Sequence, residues 1–458
     1  MYVATQIILS DTSHWSYGYC DRRAFLAWKL YNAALFRIRQ IFAGYGKASR
    51  TSNEQQVFDE VKLLESTYPS IKIKRVISYA HLEKLMRVTG NPDFTAGLPM
   101  QTAQAVVKQA VQDFKGWLSA LRDYKRSPDK YLGKPRMPHY KKSPCTFTIT
   151  NQDAVIYGKS LKLPGIKERL PVSGIPDGGT LKEVKVIPFY GKYILSMTFE
   201  ADDIPYRDGH NRAAIDFGVD NIAAIVSTDG SSRLYKGGAI LSENAYFAKQ
   251  RAEAVGIIAR GHKHIYADSA HLKNLSKHHE CFVKDQLHKI SRNIVDYCLS
   301  HDVDTLVLGD NRLWKQNVNI GAANNQKFVQ VPIAKLKFMI SYKASLAGIR
   351  IIYQEESYTS KASFIDGDNI PVYDKNDKEA HFSGKRIARG LYKAASGLII
   401  NADLNGAANI LRKADPYAWE RRACLSIFTD YSFLTTPEVF GFHELNPQSI
   451  PAKRIKAA

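Results

Sequence analysis

This sequence is poor in cysteine pairs, in long apolar runs and in acid. Its five cysteines, Cys20, Cys145, Cys281, Cys298 and Cys424, are scattered, and no two form a C-x-x-C pair. An odd, dispersed set excludes a disulfide framework and offers no zinc knuckle. No uninterrupted apolar stretch approaches the ~18–20 residues that span a bilayer, so no membrane partner is expected. The opening run, Met1 to Ser10, has no basic leader and reads as a strand, not a secretion signal, so a cytoplasmic location is expected. No internal repeat or low-complexity tract stands out.

What is present is a large core and a large positive charge. A chain of 458 residues, 45% of them hydrophobic, supports a folded protein of several domains. Lys and Arg number 64 against 44 Asp and Glu, a formal net charge of +20. A polyanion releases condensed counterions on meeting such a surface, so nucleic acid is the expected partner.

Taken in order, the first ten residues read as a strand. From Asp21 to about 128 the apolar spacing is helical, with stretches near 23–39, 54–65, 74–87 and 100–124. Gly133, Pro135 and Pro138 then rule out regular helix across Lys130–Lys142. Lys134, Arg136, Tyr140, Lys141 and Lys142 on that extended segment suit a nucleic-acid strand, cations for phosphates and rings for stacking. A basic solvated linker has the same composition. From Thr146 to about Tyr206, short alternating runs separated by Gly, Pro and Asp predict a small β-barrel, which the N-terminal strand completes. The helical block is then an insertion, and Arg207–Arg212 a linker.

The remainder predicts an α/β domain. Strands are expected at Ala213–Val219, Asn221–Thr228 and Arg233–Ile240, then a long polar helical region at about 243–300. A strand at Asp304–Gly309, a helix at about 331–347, a strand at Ile349–Gln354 and a helix from Asp403 complete it. Three antiparallel strands, then strand–helix–strand and a late acidic helix, is the order of an RNase H-like fold. The histidines between His262 and His288 lack partner acids or cysteines for a tetrahedral site and read as surface or nucleic-acid-facing residues.

Cutting a phosphodiester with two divalent ions needs several carboxylates on one spot. Asp216, in Ile-Asp-Phe-Gly-Val, stands at the end of the first strand, with Gly218 clearing space beside it. An isolated aspartate there is more often a turn former, so its partners decide its reading. Asp403 opens the last helix, where an N-cap role is the ordinary alternative. The fourth strand carries Gly309 where a second acid is needed, but the fifth ends in Glu355-Glu356. Adjacent strands lie ~4.8 Å apart, so a fifth-strand glutamate can reach over the glycine. Side chains alternate, so only one of the two should face the site.

At these residues the chain resembles the TnpB family of transposon-encoded RNA-guided DNA endonucleases, relatives of type V CRISPR effectors. The resemblance rests on Gly133–Lys141, Ile215–Val219, Lys284–Ser291, Tyr358–Lys361 and Asn401–Ile410, in that order and spacing. It implies a multidomain α/β protein: an RNase H-like (RuvC) nuclease domain, a small wedge-type β-barrel and an inserted helical recognition domain. By residue, it implies a strand at 1–20, the insertion at 21–128, the rest of the barrel at 129–206, the nuclease at 207–360 and 401–415, and a C-terminal tail at 416–458. It further implies a guide RNA from the transposon end, a double-stranded DNA target beside a short motif, two Mg²⁺ ions and a prokaryotic cytosol or nucleoid location. A monomer is favoured.

Asp216, Asp403 and one of Glu355 and Glu356 match the implied catalytic, metal-holding acids. Lys289, Lys361 and Arg386 join the basic segment as implied nucleic-acid contacts. The chain departs from the pattern twice. Gly309 replaces the usual glutamate, and 361–400 contains no cysteine where the family carries a four-cysteine zinc ribbon. No structural zinc is expected, and Asp366, Asp368, Lys385, Arg386 and Arg389 mark an insert over the site or the nucleic acid. The lost strand-four acid also leaves open a guided DNA binder that does not cut.

Overall fold

The computed structural model describes residues 1–95, 97–259, 269–310, 331–371, 381–420 and 431–447. The chain forms two compact units, Met1–Asp203 and Ile204–Ala458.

The first unit opens with β1 (Tyr2–Leu9) and continues into α1 (Trp15–Gly44), α2 (Ser52–Thr67), α3 (Tyr79–Val88), α4 (Pro92–Thr95) and α5 (Met100–Arg126). In α1 the buried residues recur every three or four positions, Cys20, Ala24, Ala27, Leu30, Ala34, Ile38 and Ile41, which is the spacing of one helix face. A capping box of Thr51 and Glu54 starts α2. The β segments follow as β2 (Phe147–Thr150), β3 (Val155–Tyr157), β4 (Ser160–Lys162), β5 (Arg169–Pro171), β6 (Thr180–Phe189) and β7 (Lys192–Glu200). They pair as two sheets, β1-β7-β6-β2 and β3-β4-β5. Strand β1 runs antiparallel to β7 from Tyr2–Glu200 to Leu9–Tyr193, so the helices interrupt one sheet in sequence.

The second unit is built on a six-stranded sheet. Its strands are β8 (Asn211–Asp216), β9 (Asn221–Ser227), β10 (Ser232–Lys236), β11 (Val303–Asp310) and β12 (Arg350–Glu355), with the late β16 (Glu438–Phe440). The order is β12-β11-β8-β9-β10-β16. Strands β8, β9 and β10 are antiparallel neighbours, while β11 is parallel to both β8 and β12. These are the order and directions expected of an RNase H-like sheet. Helices α6 (Gly238–Ile258), α7 (Ala270–Ser300), α8 (Ile333–Leu346) and α9 (Ala402–Ala414) accompany it, and a three-stranded ribbon, β13 (Lys385–Ala388), β14 (Leu391–Lys393) and β15 (Ile399–Asn401), precedes α9.

Two expectations are corrected here. The third strand stops at Lys236, because Gly237 and Gly238 lead directly into α6. The described parts of the expected C-terminal tail, 416–420 and 431–447, pack into the fold: β16 adds to β10, and Trp419, Phe433 and Leu434 are buried. Aromatic rings at that spacing need a core, and the sheet supplies it.

Strand alternation gives the sheet two distinct faces. Ala213, Ile215, Leu306 and Leu308 pack with residues of α7 and α8 on one side. Ala214, Ala224, Val226 and Val307 pack with Leu404, Ala407, Ala408 and Leu411 of α9 on the other. This division decides which acids can meet.

Candidate active site

Two residues beyond Ala214 is Asp216, two beyond Val307 is Gly309, and Ile352, on the same face, is followed at even spacing by Gln354 and Glu356. All therefore point to the side that α9 covers. In the pairing, Leu308 lies level with Ile215, and Gly309 level with Gln354. A Cβ built on Gly309 would collide with Glu356 Oε1, so the glutamate fills the space that the glycine leaves. A Cβ on Gly406 of α9 would stand 2.6 Å from Asp216 Oδ2, so that glycine lets the helix close onto the aspartate. Gly218 does similar service in the turn after β8, where a Cβ would lie 2.7 Å from the Asn221 carbonyl oxygen.

Glu355 is engaged elsewhere, near the C-terminal end of α9. Its carboxylate accepts from Lys413 Nζ at 2.7 Å and from the Ser357 amide at 2.5 Å. Partial burial pushes its carboxyl upward, but Lys413 and Ser357 outweigh that and hold it below the ordinary range. The open choice between the two glutamates is thereby narrowed by geometry: Glu356 joins Asp216, and Glu355 does not.

The electrostatics of the joined acids are those of like charges crowded in a poorly solvated space. Burial raises the Asp216 carboxyl well above its usual value, and the charges of Glu356 and Asp403 push the same way. Burial lifts Glu356 to about 7; Lys337 opposes the rise while Asp310 and Glu355 add to it. Lys337, on α8, was not singled out from the sequence. Its ammonium donates to the Gly309 carbonyl and lies 3.8 Å from Asp310, so it ties α8 to the end of β11 beside the acids.

Asp403 lies in the first turn of α9, but the N-cap is Asn401, whose side chain accepts from the amides of Asp403 and Leu404 at 3.0 and 3.1 Å. Capping therefore does not occupy the Asp403 carboxylate. Asn221 Nδ2 donates to its Oδ2 at 2.6 Å, and Asn221 Oδ1 in turn accepts from Lys236 Nζ at 2.9 Å. Arg386 of β13 stands 3.5 Å from the other oxygen. Asn221 carried no signal in the sequence that sets it apart from any strand-opening asparagine.

Among the described residues, no three His, Cys, Asp or Glu side chains close around one point as a ready-made metal site. The donor chemistry nevertheless suits a hard cation: three carboxylates from three elements, with glycine at both close approaches. A divalent ion would also relieve the repulsion that raises Asp216.

Comparison with known proteins gives matches mostly within the second unit. Residues 196–315 match the family described as a probable transposase, OrfB of IS605 type. Residues 334–410 match the Cas12f1-like TNB domain. A curated relative, TnpB-like protein ORF457 of Acidianus two-tailed virus, is 29% identical over 229 residues, 49% of this chain. Over these residues the chain is similar to the TnpB family. The aligned part spans only 46% of that viral relative's length. A solved Cas12f1–sgRNA–target DNA complex aligns over 85% of this chain and 81% of its own with a TM-score of 0.46 and 14% identity, a loose likeness. A second, a CRISPR–Cas12f ternary complex, gives a TM-score of 0.34 at 13% identity over the same shares.

The basic residues chosen from sequence fall into distinct settings. Lys134, Arg136, Tyr140 and Lys142 are exposed. The backbone beneath them is fixed: Trp117 Nε1 donates to the Pro135 carbonyl at 3.1 Å, and Trp28 and Asn32 donate to that of Lys141 at 2.6 and 2.9 Å. A bare solvated linker has no such anchors. Lys141 lies over the Tyr31 ring at 3.8 Å, and Arg39 over Tyr140 at 4.8 Å. Lys289 pairs with Asp285 at 2.7 Å and also donates to Asn446, while Lys361 is exposed near the Tyr358 ring. Of the histidines, His279 bonds Asn244 at 2.7 Å and stacks on Phe247, a structural use; His262 and His264 lie outside the described residues.

Proposed function

We propose that the chain is an RNA-guided, Mg²⁺-dependent DNA endonuclease of insertion-sequence type, cutting beside a short target-adjacent motif. The observation that carries this reading is the approach of Asp216, Glu356 and Asp403 on the α9 face, with Gly309 and Gly406 making room. In this reading the three carboxylates hold two Mg²⁺ ions, which supply an activated water and charge stabilisation at the leaving oxygen. Asn221 orients Asp403, and Lys337 keeps the end of β11 in place against the acids. The guide pairs with the target strand and so reads sequence, while the protein holds backbone and reads the adjacent motif. The first unit, with its wedge-type sheets and helical recognition insertion, offers Lys134, Arg136, Tyr140 and Lys142 to phosphate and base. Arg386 of β13 stands beside Asp403, and the insert that carries it is the second contact region in this reading.

A guided binder that does not cut is the alternative, and the pairing of Arg386 with Asp403 in place of a ready-made metal site is what favours it. Both readings meet one experiment. The protein is co-expressed with its flanking non-coding DNA, purified, and its bound RNA sequenced. Cleavage of a matched plasmid is then followed with and without Mg²⁺. Asp216→Ala, Glu356→Gln and Asp403→Ala should each lose more than the ~10–100-fold typical of an outer-shell partner, whereas Glu355→Gln should not. Absence of bound RNA sinks both readings; bound RNA with no Mg²⁺-dependent cutting selects the binder.

A further inference from the structure

Glu356 lies one residue past the end of β12, so no strand pairing holds its backbone. A glutamate at position 309 of β11 would instead be held by pairing with Gln354 of β12. The turn that follows is not one the chain favours by itself, since Tyr358 takes a φ of 66°, in the left-handed region. Something outside the turn must hold it.

That support comes from α9. Thr359 N and Oγ1 both donate to the Glu356 carbonyl, at 3.2 and 2.8 Å. Asn409 Nδ2 donates to the Thr359 carbonyl at 2.9 Å and to that of Ala362 at 2.7 Å. Asn405 Nδ2 donates to Ala362 O at 2.8 Å, and its Oδ1 accepts from the Phe364 amide at 3.0 Å. Arg412 donates to Asn409 Oδ1 at 3.0 Å and so fixes the orientation of that amide. Both asparagines are fully buried, at 0% exposure. The same helix carries Asp403 and turns Gly406 toward Asp216, so one rigid element indexes all three acids.

We infer that Asn405 and Asn409 are positioning residues for Glu356, acting through the 359–364 turn to replace the strand pairing that a β11 glutamate would have had. The inference rests on the reading of Glu356 as a metal-holding acid. Carboxylates that hold metals need their supporting shell as much as their own identity.

The test uses the full chain with its co-purified RNA and the variants Asn409→Ser, Asn405→Ser and Thr359→Val. For each, kcat should fall by ~10–100-fold while KM for the matched DNA stays at the wild-type value. Mn²⁺ titration of nucleic-acid-free protein, followed by electron paramagnetic resonance, should show half-saturation moving upward by a comparable factor. Thr359→Val leaves α9 untouched and carries the test if either asparagine variant fails to fold. Wild-type kcat and Mn²⁺ affinity in Thr359→Val and in whichever asparagine variants fold overturn the inference. A rise in KM with unchanged kcat also overturns it, because the turn would then serve DNA binding. Glu356→Gln with unaltered Mn²⁺ affinity is a separate failure: it removes the metal-holding reading itself.

Discussion

At the scale of single residues, the site depends on two side chains that are missing. Gly309 and Gly406 are the close approaches at which β11 and α9 meet the acids, and each would be blocked by one carbon atom. Gly309→Ala puts a methyl group against Glu356 Oε1 and 2.9 Å from Ile410 Cδ1. Overpacking of this kind costs ~1–3 kcal/mol. The expected outcome is a modest drop in melting temperature with a disproportionate loss of Mg²⁺-dependent cleavage, since Glu356 is what must move. Equal cleavage by wild type and Gly309→Ala would show that the glutamate has no fixed place there. The sequence made the missing acid visible but could not choose between Glu355 and Glu356. Alternation puts Ile349, Ile351 and Tyr353 on one face and Arg350, Ile352 and Gln354 on the other, which does not say which of them meets α9. The parity is set by Ile352 packing toward α9, a tertiary fact. Asn221 was invisible for a similar reason: its partner is 182 positions away.

At the scale of elements, the insert between β12 and α9 is held by carboxylates. Asp366 Oδ2 accepts from Ser383 Oγ at 3.0 Å and the Ala395 amide at 2.8 Å. Asp368 Oδ2 accepts from the amides of Ser363 and Ser383 at 2.8 and 3.1 Å. Burial pushes the Asp366 carboxyl up, but these donors outweigh it and leave it below its ordinary value. A depressed folded value means that stability is present above the unfolded value of ~3.9 and is lost as pH falls through and below it. Asp366→Ala removes the acceptor of these exposed donors and should cost about 0.5–1.5 kcal/mol, with faster proteolysis inside 361–400. In the variant, the step in stability below pH ~4 should shrink, as read from urea midpoints across a pH series. The absence of cysteine in this stretch was plain from sequence, whereas the aspartates that bind it together were not, because their partners come from both ends of the insert.

The other element that sequence misjudged is the C-terminal segment. Trp419 lies between Phe364 and Phe433, with ring centroids 5.0 and 5.6 Å away, and is buried on the α9 face. Trp419→Ala should therefore destabilise the second unit by ~3–5 kcal/mol, a loss a tail residue would never cause. Thermal unfolding followed by near-ultraviolet circular dichroism checks it, and a change in melting temperature within error would return the segment to tail status. Short, irregular pieces such as β16 give no periodicity to read; they become strands only because β10 presents an open edge.

At the scale of the whole molecule, a net charge of +20 is a statement about partners and salt before it is one about fold. The excess is not uniformly available. Lys141 spends its ammonium on the Tyr31 ring, and Lys289 on Asp285, whereas Lys134 and Arg136 are exposed on a segment whose backbone is pinned by Trp28, Asn32 and Trp117. A pinned strand of exposed cations pays little ordering entropy when a polyanion arrives. Each phosphate contact contributes ~0.7 to the salt slope for single-stranded nucleic acid and ~0.9 for duplex. Replacing Lys134, Arg136 and Lys142 by Gln should thus flatten the plot of log affinity against log salt by about two to three units. Lys141→Gln should do the reverse, lowering the stability of the first unit while leaving the slope nearly as it was. Titrations of the co-purified RNA between low and moderate salt separate the two. An unchanged slope in the triple variant would move the nucleic-acid contact off this segment and leave the charge excess to be explained by other surfaces.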